Sequence, residues 1–276
     1  LIIYAIVTEQ SVGHMFLAGI IPGIVLSIAY GFAILLMAYV APKFVGGGDV
    51  GEGNEDWRHL SLRDVIRKLM PIVTLVLVVL GGIYGGIVTP VEAGAAGSLA
   101  ALIIALARRK MTWRGLWEVL VETGHITATI LFLIVAASMY SRMIGMAGLP
   151  TLFGEWLTGQ GFGLVGIMVL YVILVILLGT IIDPASIILI VVPLFLSAIE
   201  GFGSSLVWFG IITVVAAEIG LLTPPLGISC FVIKSTLRDP TISLKDIFTG
   251  AFPFAVIMLL VLIVLIAYPN LSLALI

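Results

Sequence analysis

The stretch EIGLLTPPLG, from Glu218 to Gly227, lies inside a long apolar run and interrupts it with two prolines. A second stretch, GGIYGGIVTP from Gly81 to Pro90, has the same order of glycine, two aliphatic residues, threonine and proline. Proline removes a backbone donor and disrupts the helix around it. Within a membrane, irregular backbone is tolerated only where protein buries it or where it lines a water-filled cavity. Two such stretches therefore predict interrupted helices whose unpaired backbone groups serve a function inside the protein or in a water-filled cavity.

The rest of the chain has the composition of a membrane protein. Its 276 residues are 61% hydrophobic and 10% charged, whereas soluble domains are about 25% charged. Several apolar runs approach the roughly 20 residues that cross a bilayer core. The sequence therefore predicts an all-α polytopic membrane protein in a lipid bilayer. The net charge of -2 and the lack of a basic face predict no nucleic-acid partner.

The apolar runs divide the chain into three parts. The first, residues 1–70, is predicted to hold the end of a preceding helix, one scaffold-type span and an interfacial amphipathic helix. The second, residues 71–108, is predicted to be a helical hairpin with its tip at Thr89-Pro90. The third, residues 109–276, holds the remaining spans. The predicted spans are 16–41, 117–141, 164–182, 185–199, the broken helix 206–236 and 247–268, and the predicted interfacial helices are 60–70 and 149–160.

Lysine and arginine positions give a predicted topology. They cluster at 43–68, 108–114 and 234–245, and Arg142 stands alone. The positive-inside rule places the three clusters in the cytoplasm and Arg142 outside. The 71–108 hairpin must then return to the side where it starts. Each of its arms is about 26 Å long at 1.5 Å per residue, which is marginal for a crossing and favours a re-entrant hairpin.

The start of the chain carries a further expectation. Leu1 lies in an apolar stretch, with neither a Met nor the charged n-region and cleavage site of a signal peptide. We therefore expect the sequence to be a fragment that begins in the tail of an earlier helix.

The interruptions predict a transport site. An unwound segment frees carbonyl oxygens for a cation such as Na⁺, and the half-helix N-terminus beside it favours an anion. Repeated interruptions of this kind are the best sequence indication of a secondary transporter's binding site.

Acidic residues near the interruptions are further candidates. A carboxylate inside the membrane is by default a functional hypothesis, which applies to Glu92, Asp183 and Glu218. Glu92 could ligate an ion or cap the helix after Pro90, and Asp183 could also be a simple helix cap. His125 could relay protons or make an interhelical contact.

Four stretches, in order, resemble the large membrane subunit of the TRAP transporters (tripartite ATP-independent periplasmic transporters, DctM type). They are FLAGIIPGIV at 16–25, GGIYGGIVTPVEAGAAGSLAAL at 81–102, LGTIIDPASIILIVVPLF at 178–195 and EIGLLTPPLGIS at 218–229. Val88 and Val91 depart from the family, which usually has Phe and Thr there. The missing threonine hydroxyl is expected to weaken one side-chain ligand, while the backbone carbonyls remain. The G-S-S and P-P-S motifs of the family's first half are missing, so the resemblance covers a C-terminal portion.

The resemblance implies a Na⁺-driven importer of an organic acid in the bacterial inner membrane, with an elevator motion. The acid would be a C4-dicarboxylate, a sialic acid or a sugar acid. The implied partners are a periplasmic substrate-binding protein and a small four-helix membrane subunit. With the acids above, the expected substrate contacts are Thr89, Pro90, Glu92, Asp183, Thr223, Pro224 and Pro225. The expected ligands of the coupling Na⁺ are Gly86, Thr89, Glu218, Thr223 and Gly227.

Three other functions compete with transport as interpretations of this sequence. An intramembrane aspartyl enzyme needs two aspartates and only Asp183 qualifies, while a Ser138–His125 dyad lacks a glycine-rich nucleophile setting. No Cys/His cluster suits a metal enzyme, and a channel needs a continuous polar-lined pore. A non-transporting scaffold subunit stays open. It predicts that Thr89 and Thr223 do not converge, whereas a transporter brings them together.

Overall fold

The structure, a computed structural model, describes residues 1–42, 44, 62–109, 111–237 and 241–276. Within these ranges the regular structure consists of twelve helices and no strand. They are α1 (Ile2–Val7), α2 (Val12–Val40), α3 (Leu62–Tyr84), α4 (Pro90–Ala107), α5 (Trp113–Met146), α6 (Leu149–Gly159), α7 (Leu164–Gly179), α8 (Pro184–Gly201), α9 (Leu206–Leu221), α10 (Ile228–Leu237), α11 (Leu244–Ala267) and α12 (Asn270–Leu273).

Five of the described helices, α2, α4, α5, α8 and α11, are long and apolar enough to cross a membrane. The helices α7, α9 and α10 are apolar but shorter. The predicted all-α polytopic membrane fold is confirmed. Because the backbone groups of a helix pair within the helix, this is the form in which so apolar a chain can enter lipid.

The described residues form two compact units, residues 1–33 with 130–276 and residues 34–129. The core of the first unit lies where α7, α8 and α9 pack together. The ring of Tyr171 in α7 lies 4.9 Å from that of Phe195 in α8 and 4.5 Å from that of Phe209 in α9. The buried Tyr171 hydroxyl is 2.7 Å from Thr213 Oγ1, so its polar end is satisfied inside the core.

The directions of these three helices follow from their contacts. Tyr171 meets Thr213, and further along both helices Gly179 meets Gly220, where an added methyl group would lie 2.5 Å from the Gly179 Cα. The residue numbers of the two contacts increase in both helices in the same direction, so α7 and α9 run parallel. Helix α8 returns antiparallel to α7 after a turn at residues 180–183, which brings Phe195 back to Tyr171.

The turn between α7 and α8 lies beside the interruption between two other helices, α9 and α10. The Gly227 N–H donates to the Thr180 carbonyl at 3.1 Å, so the turn lies at the level of the break between α9 and α10. Helix α10 continues for 10 residues beyond that break, or about 15 Å. The two predicted spans at 164–182 and 185–199 form a helical hairpin, as α7 and α8, and whether each arm crosses the membrane stays a prediction.

The second unit contains a pair of helices, α3 and α4. Helix α3 continues through Pro71 without interruption, so the amphipathic segment predicted at 60–70 and the first hairpin arm are one helix over their described part. A methyl group at Gly97 would lie 2.6 Å from Val79 Cγ2. The small residues of α4 thus allow close packing against α3.

Candidate functional site

The break between α9 and α10 covers residues 222–227. The Thr223 hydroxyl donates to the Ile219 carbonyl at 2.7 Å, and the Thr223 N–H donates to Gly220 at 2.9 Å. Pro224 and Pro225 follow, are exposed, and have no backbone N–H to continue the helix. The break is therefore set locally by the two prolines, with Thr223 closing the end of α9.

Gly227 restarts the helix and joins the break to its surroundings. Its φ is +51°, a left-handed conformation that glycine adopts without strain. A methyl group at this position would lie 2.5 Å from Phe248 Cε1 and 3.1 Å from the Thr223 carbonyl oxygen. Its N–H reaches the Thr180 carbonyl of the α7–α8 turn. Both the backbone conformation and the close approach of Phe248 require glycine here.

The turn between α7 and α8 supplies the other side of this site. Thr180 is buried, and its hydroxyl donates to the Leu177 carbonyl at 2.8 Å. Asp183 is exposed and is the N-cap of α8, where Oδ2 accepts from the Ser186 N–H at 3.0 Å and Oδ1 accepts from the Ser186 hydroxyl at 2.6 Å. Asp183 is thus a helix cap whose carboxylate remains open to solvent.

Four helix ends meet in this region. The carbonyl ends of α7 and α9 carry partial negative charge, and the amide ends of α8 and α10 carry partial positive charge. Thr180 and Thr223 lie at the carbonyl ends of α7 and α9, and Asp183 and Gly227 lie at the amide ends of α8 and α10. The arrangement offers oxygen ligands for a cation and backbone donors for an anion within one region of the first unit.

Glu218 is not brought into this cluster. Gly220 faces Gly179, and Glu218 precedes Gly220 by two positions, which turns it about 200° around the helix axis. Its side chain is exposed while its neighbours Ala217 and Ile219 are buried. The structure therefore separates the Glu218 carboxylate from the α7–α8 turn, and its predicted role in ion binding stays a prediction.

The tip of the α3–α4 hairpin, residues 85–89, is closed by its own backbone. The Ile87 and Val88 N–H groups both donate to the Gly82 carbonyl, at 3.0 and 3.3 Å. Gly86 has a φ of +65° and is exposed, and an added methyl group there would contact nothing within 4 Å. Glycine is required at this position by the backbone conformation alone.

Thr89 and Glu92 form a capping box at the start of α4. Glu92 Oε2 accepts from the Thr89 N–H and from the Thr89 hydroxyl, both at 2.8 Å, and the Glu92 N–H donates to Thr89 Oγ1 at 3.4 Å. Pro90 occupies the first turn, where no N–H is needed. Of the two roles considered for Glu92, capping is the one that this geometry performs.

The predicted residues thus fall into two groups, one in each unit. Asp183, Thr223, Pro224, Pro225 and Gly227 belong to the first unit, and Gly86, Thr89, Pro90 and Glu92 to the second. The predicted approach of Thr89 to Thr223 stays a prediction. His125 is exposed on α5, and within the described part of the chain its imidazole has no hydrogen bond that would support either of its predicted roles.

Three contributors to the site were not singled out from the sequence: Gly179, Thr180 and Phe248. A signal for the first two exists. LGTIIDP at 178–184 places a glycine a few residues before a polar residue and a proline, as IGLLTPP at 219–225 does. Phe248 carries no such signal, because only folding places its ring against Gly227.

Comparisons with known proteins identify relatives of the whole chain. The family model "Tripartite ATP-independent periplasmic transporter, DctM component" matches residues 1–271. The C4-dicarboxylate TRAP transporter large permease protein DctM of Pseudomonas aeruginosa is 31% identical over 279 residues, covering 100% of this chain and 62% of that protein.

Two further relatives are named for different substrates. The sialic acid TRAP transporter large permease protein SiaM of Vibrio cholerae is 28% identical, covering 100% of this chain and 62% of its own length. The ectoine TRAP transporter large permease protein TeaC of Halomonas elongata is 29% identical, with 99% and 62% covered. The chain therefore spans about three fifths of the length of these relatives.

Proposed function

The chain belongs to the DctM component family of the tripartite ATP-independent periplasmic transporters, and from this premise we propose that it supplies part of the substrate and ion path of an organic-acid importer. The membership agrees with the resemblance carried by the four sequence motifs. It identifies a multi-pass component of a bacterial inner-membrane transporter and not an enzyme.

The observation that carries the proposal is the 3.1 Å hydrogen bond from the Gly227 N–H to the Thr180 carbonyl. It joins two chain interruptions, the α9–α10 break and the α7–α8 turn. A scaffold that only supports a neighbouring subunit has no need for two interrupted segments held against each other, because each interruption weakens the helices around it. A binding site does need them, since interruptions supply backbone ligands.

The proposed Na⁺ position lies at the carbonyl ends of α7 and α9. A hard cation takes oxygen ligands, and the end of α9 at Thr223 and the Asp183 carboxylate at the start of α8 offer them. Asp183 already accepts two hydrogen bonds from Ser186, but each carboxylate oxygen can accept more than one contact.

The carboxylate of the substrate is proposed to lie toward the start of α10. The amide end of a helix favours an anion, and α10 has 10 residues, enough for an appreciable dipole. Thr89, Pro90 and Glu92 at the α3–α4 tip are proposed as further substrate contacts.

The partners are proposed from the family and from the names of its members. Isethionate TRAP transporter permease protein DctMQ of Oleidesulfovibrio alaskensis is one such relative, 28% identical over 266 residues. We propose that this chain works with a periplasmic substrate-binding protein and a small four-helix membrane subunit. An elevator motion would carry the site across the membrane.

The decisive experiment is uptake by the complete permease and its partners in sealed vesicles. Na⁺ and H⁺ gradients are imposed separately, and a panel of C4-dicarboxylates, sialic acids and sugar acids is supplied with the binding protein. We expect uptake of at least one acid that follows the Na⁺ gradient and stops when an ionophore collapses it. Uptake that is absent for every acid contradicts the transport proposal, and uptake that follows only H⁺ contradicts the Na⁺ assignment.

A further inference from the structure

A small polar cleft in the first unit shares no lining residue with the site described above. The last turn of α1 and the residue after it supply Ile6, Val7 and Glu9 on one side. One face of α5 supplies Ala137, Ser138, Ser141 and Arg142 on the other. The cleft encloses about 160 Å³, room for a small polar group such as a carboxylate with its neighbouring atoms.

The two charged side chains of the cleft have opposite signs and do not neutralise each other. Neither Arg142 nor Glu9 takes part in an ion pair within 4 Å among the described residues, whereas Arg114 on the same helix does pair with Glu118, at 3.2 Å. Arginine presents a planar fork of five donors that matches a carboxylate. Arg142 and Glu9 are both exposed, so each can bind a ligand that enters the cleft.

The backbone at Glu9 is a second and independent observation. Its φ is +55°, and the Gln10 N–H donates to the Ala5 carbonyl at 2.9 Å, which closes α1 with the turn that usually places glycine at this position. A non-glycine residue in this conformation is strained by about 1–3 kcal/mol, and such residues cluster at functional sites. Glu9 thus places a carboxylate at a position where glycine would have less backbone strain.

We propose that this cleft is a substrate subsite that the acid occupies on arrival, before it reaches the start of α10, and that it takes a carboxylic acid that also carries a hydrogen-bond donor, that is, a hydroxy acid or a zwitterion. The acid's carboxylate binds the Arg142 guanidinium, and its hydroxyl or ammonium group donates to the Glu9 carboxylate. The Ser138 hydroxyl donates to the Ile134 carbonyl at 2.8 Å, so toward the substrate it can only accept a hydrogen bond.

Glu9 also gives the subsite its selectivity. A second carboxylate on the substrate would face the Glu9 carboxylate, and like charges at close range repel. The subsite therefore disfavours dicarboxylates such as succinate. Arg142 lies outside in the predicted topology, where a substrate arrives, and the inference rests on the proposed function for its setting.

The test uses the complete permease with its partners in sealed vesicles, with gluconate as the hydroxy acid and succinate as the dicarboxylate. Wild type is expected to prefer gluconate. Arg142→Gln should raise the KM for gluconate about tenfold, the effect of losing one charged hydrogen bond. Glu9→Gln should raise the gluconate KM by less and lower the succinate KM, since the repulsion is gone.

Arg114→Gln is the matched control, because it removes an exposed arginine from the same helix and should leave both KM values unchanged. Arg142→Lys should recover part of the gluconate affinity, which separates a charge contact from a folding defect. If the wild-type protein transports succinate in preference to gluconate, the inference about the cleft is wrong, although the proposed transport function is still supported. A change confined to the half-saturating concentration of the binding protein also overturns it, because Arg142 would then contact that protein and not the substrate.

Discussion

At the scale of single residues, Gly227 carries more constraints than any other position in the candidate site. Its backbone is left-handed, its N–H is bonded to Thr180, and its α-carbon faces Phe248. Each constraint acts on a different part of the residue. Gly227 therefore links the local geometry of the break to the packing of α11 and to the α7–α8 turn.

Gly227→Ala should reduce uptake at least tenfold while the protein is still inserted. The left-handed conformation costs an alanine about 1–2 kcal/mol, and its methyl group would lie 2.5 Å from Phe248 Cε1, which forces the break or the ring to move. Uptake in vesicles and thermal unfolding in detergent measure the two effects. Gly31→Ala is the control, because nothing lies within 4 Å of a methyl group there. Restored uptake in Gly227→Ala/Phe248→Leu would identify the ring as the obstacle, and normal uptake in Gly227→Ala would remove the break from the site.

Glu92 gives a second prediction at this scale, because its two candidate roles respond differently to a neutral isostere. Glutamine can replace glutamate in a capping box, whereas it is a poor substitute for an anionic ion ligand. Since both short contacts of Glu92 Oε2 are to Thr89, we expect Glu92→Gln to keep most of its Na⁺-dependent uptake.

Glu92→Ala should instead destabilise the protein by about 1 kcal/mol, the usual effect of losing a cap, and Thr89→Ala should do the same. Thermal unfolding and the Na⁺ dependence of uptake are measured for all three variants. A large increase in the Na⁺ concentration needed by Glu92→Gln would show that the carboxylate charge serves the ion and not the helix.

At the scale of helices, the α7–α8 hairpin is the element on which the site depends. Its arms are 16 and 18 residues long, near 24 and 27 Å at 1.5 Å per residue. Length alone does not decide between two short spans and a re-entrant pair. The bond between Thr180 and Gly227 favours a re-entrant pair, because it holds the turn beside the break in a neighbouring helix.

A cysteine at position 181 tests this placement. Ile181 is 56% exposed in the turn, so a thiol there can react if reagent reaches it. In a background without other reactive cysteines, a membrane-impermeant maleimide added from the cytoplasm should label Ile181→Cys more slowly than Lys245→Cys. The rate at position 181 should change with Na⁺ or substrate. Equal, Na⁺-independent labelling at both positions would place the turn at the membrane surface.

Helix identity could be predicted from sequence where the cause is local. Pro224 and Pro225 end α9 through their own chemistry, and composition alone gives the membrane class. The depth of the α7–α8 turn could not be predicted, because it depends on a contact between Thr180 and Gly227, which are far apart in sequence. The side of α9 on which Glu218 lies depends on how the helix is rotated against Gly179. The apolar pattern of α9 does not encode this rotation. The role of Phe248 depends on the packing of a third helix.

At the scale of the whole molecule, the exposed charged residues indicate which parts of the surface face protein or water and not lipid. The 34-residue helix α5 has few buried residues, and its exposed side chains include Glu118, Glu122 and His125. Charged groups within a membrane face protein or water and not lipid. The charged part of α5 therefore needs a protein neighbour or the membrane–water interface, which agrees with a component that works in a complex.

The complex with the binding protein can be tested by its effect on uptake. If the substrate is delivered by a periplasmic binding protein, vesicles containing the complete permease and the small membrane subunit should show no Na⁺-driven uptake until the binding protein is added. We expect this because the site at the start of α10 offers mainly backbone groups, and such a site binds a dilute free acid weakly. Uptake should rise with the amount of loaded binding protein and saturate. A binding protein whose ligand pocket is blocked, and which therefore cannot carry the acid, is the control. Uptake of free acid at the full rate without any binding protein would refute the tripartite assignment, while leaving the ion site at Thr223 and Asp183 to be judged by its own variants.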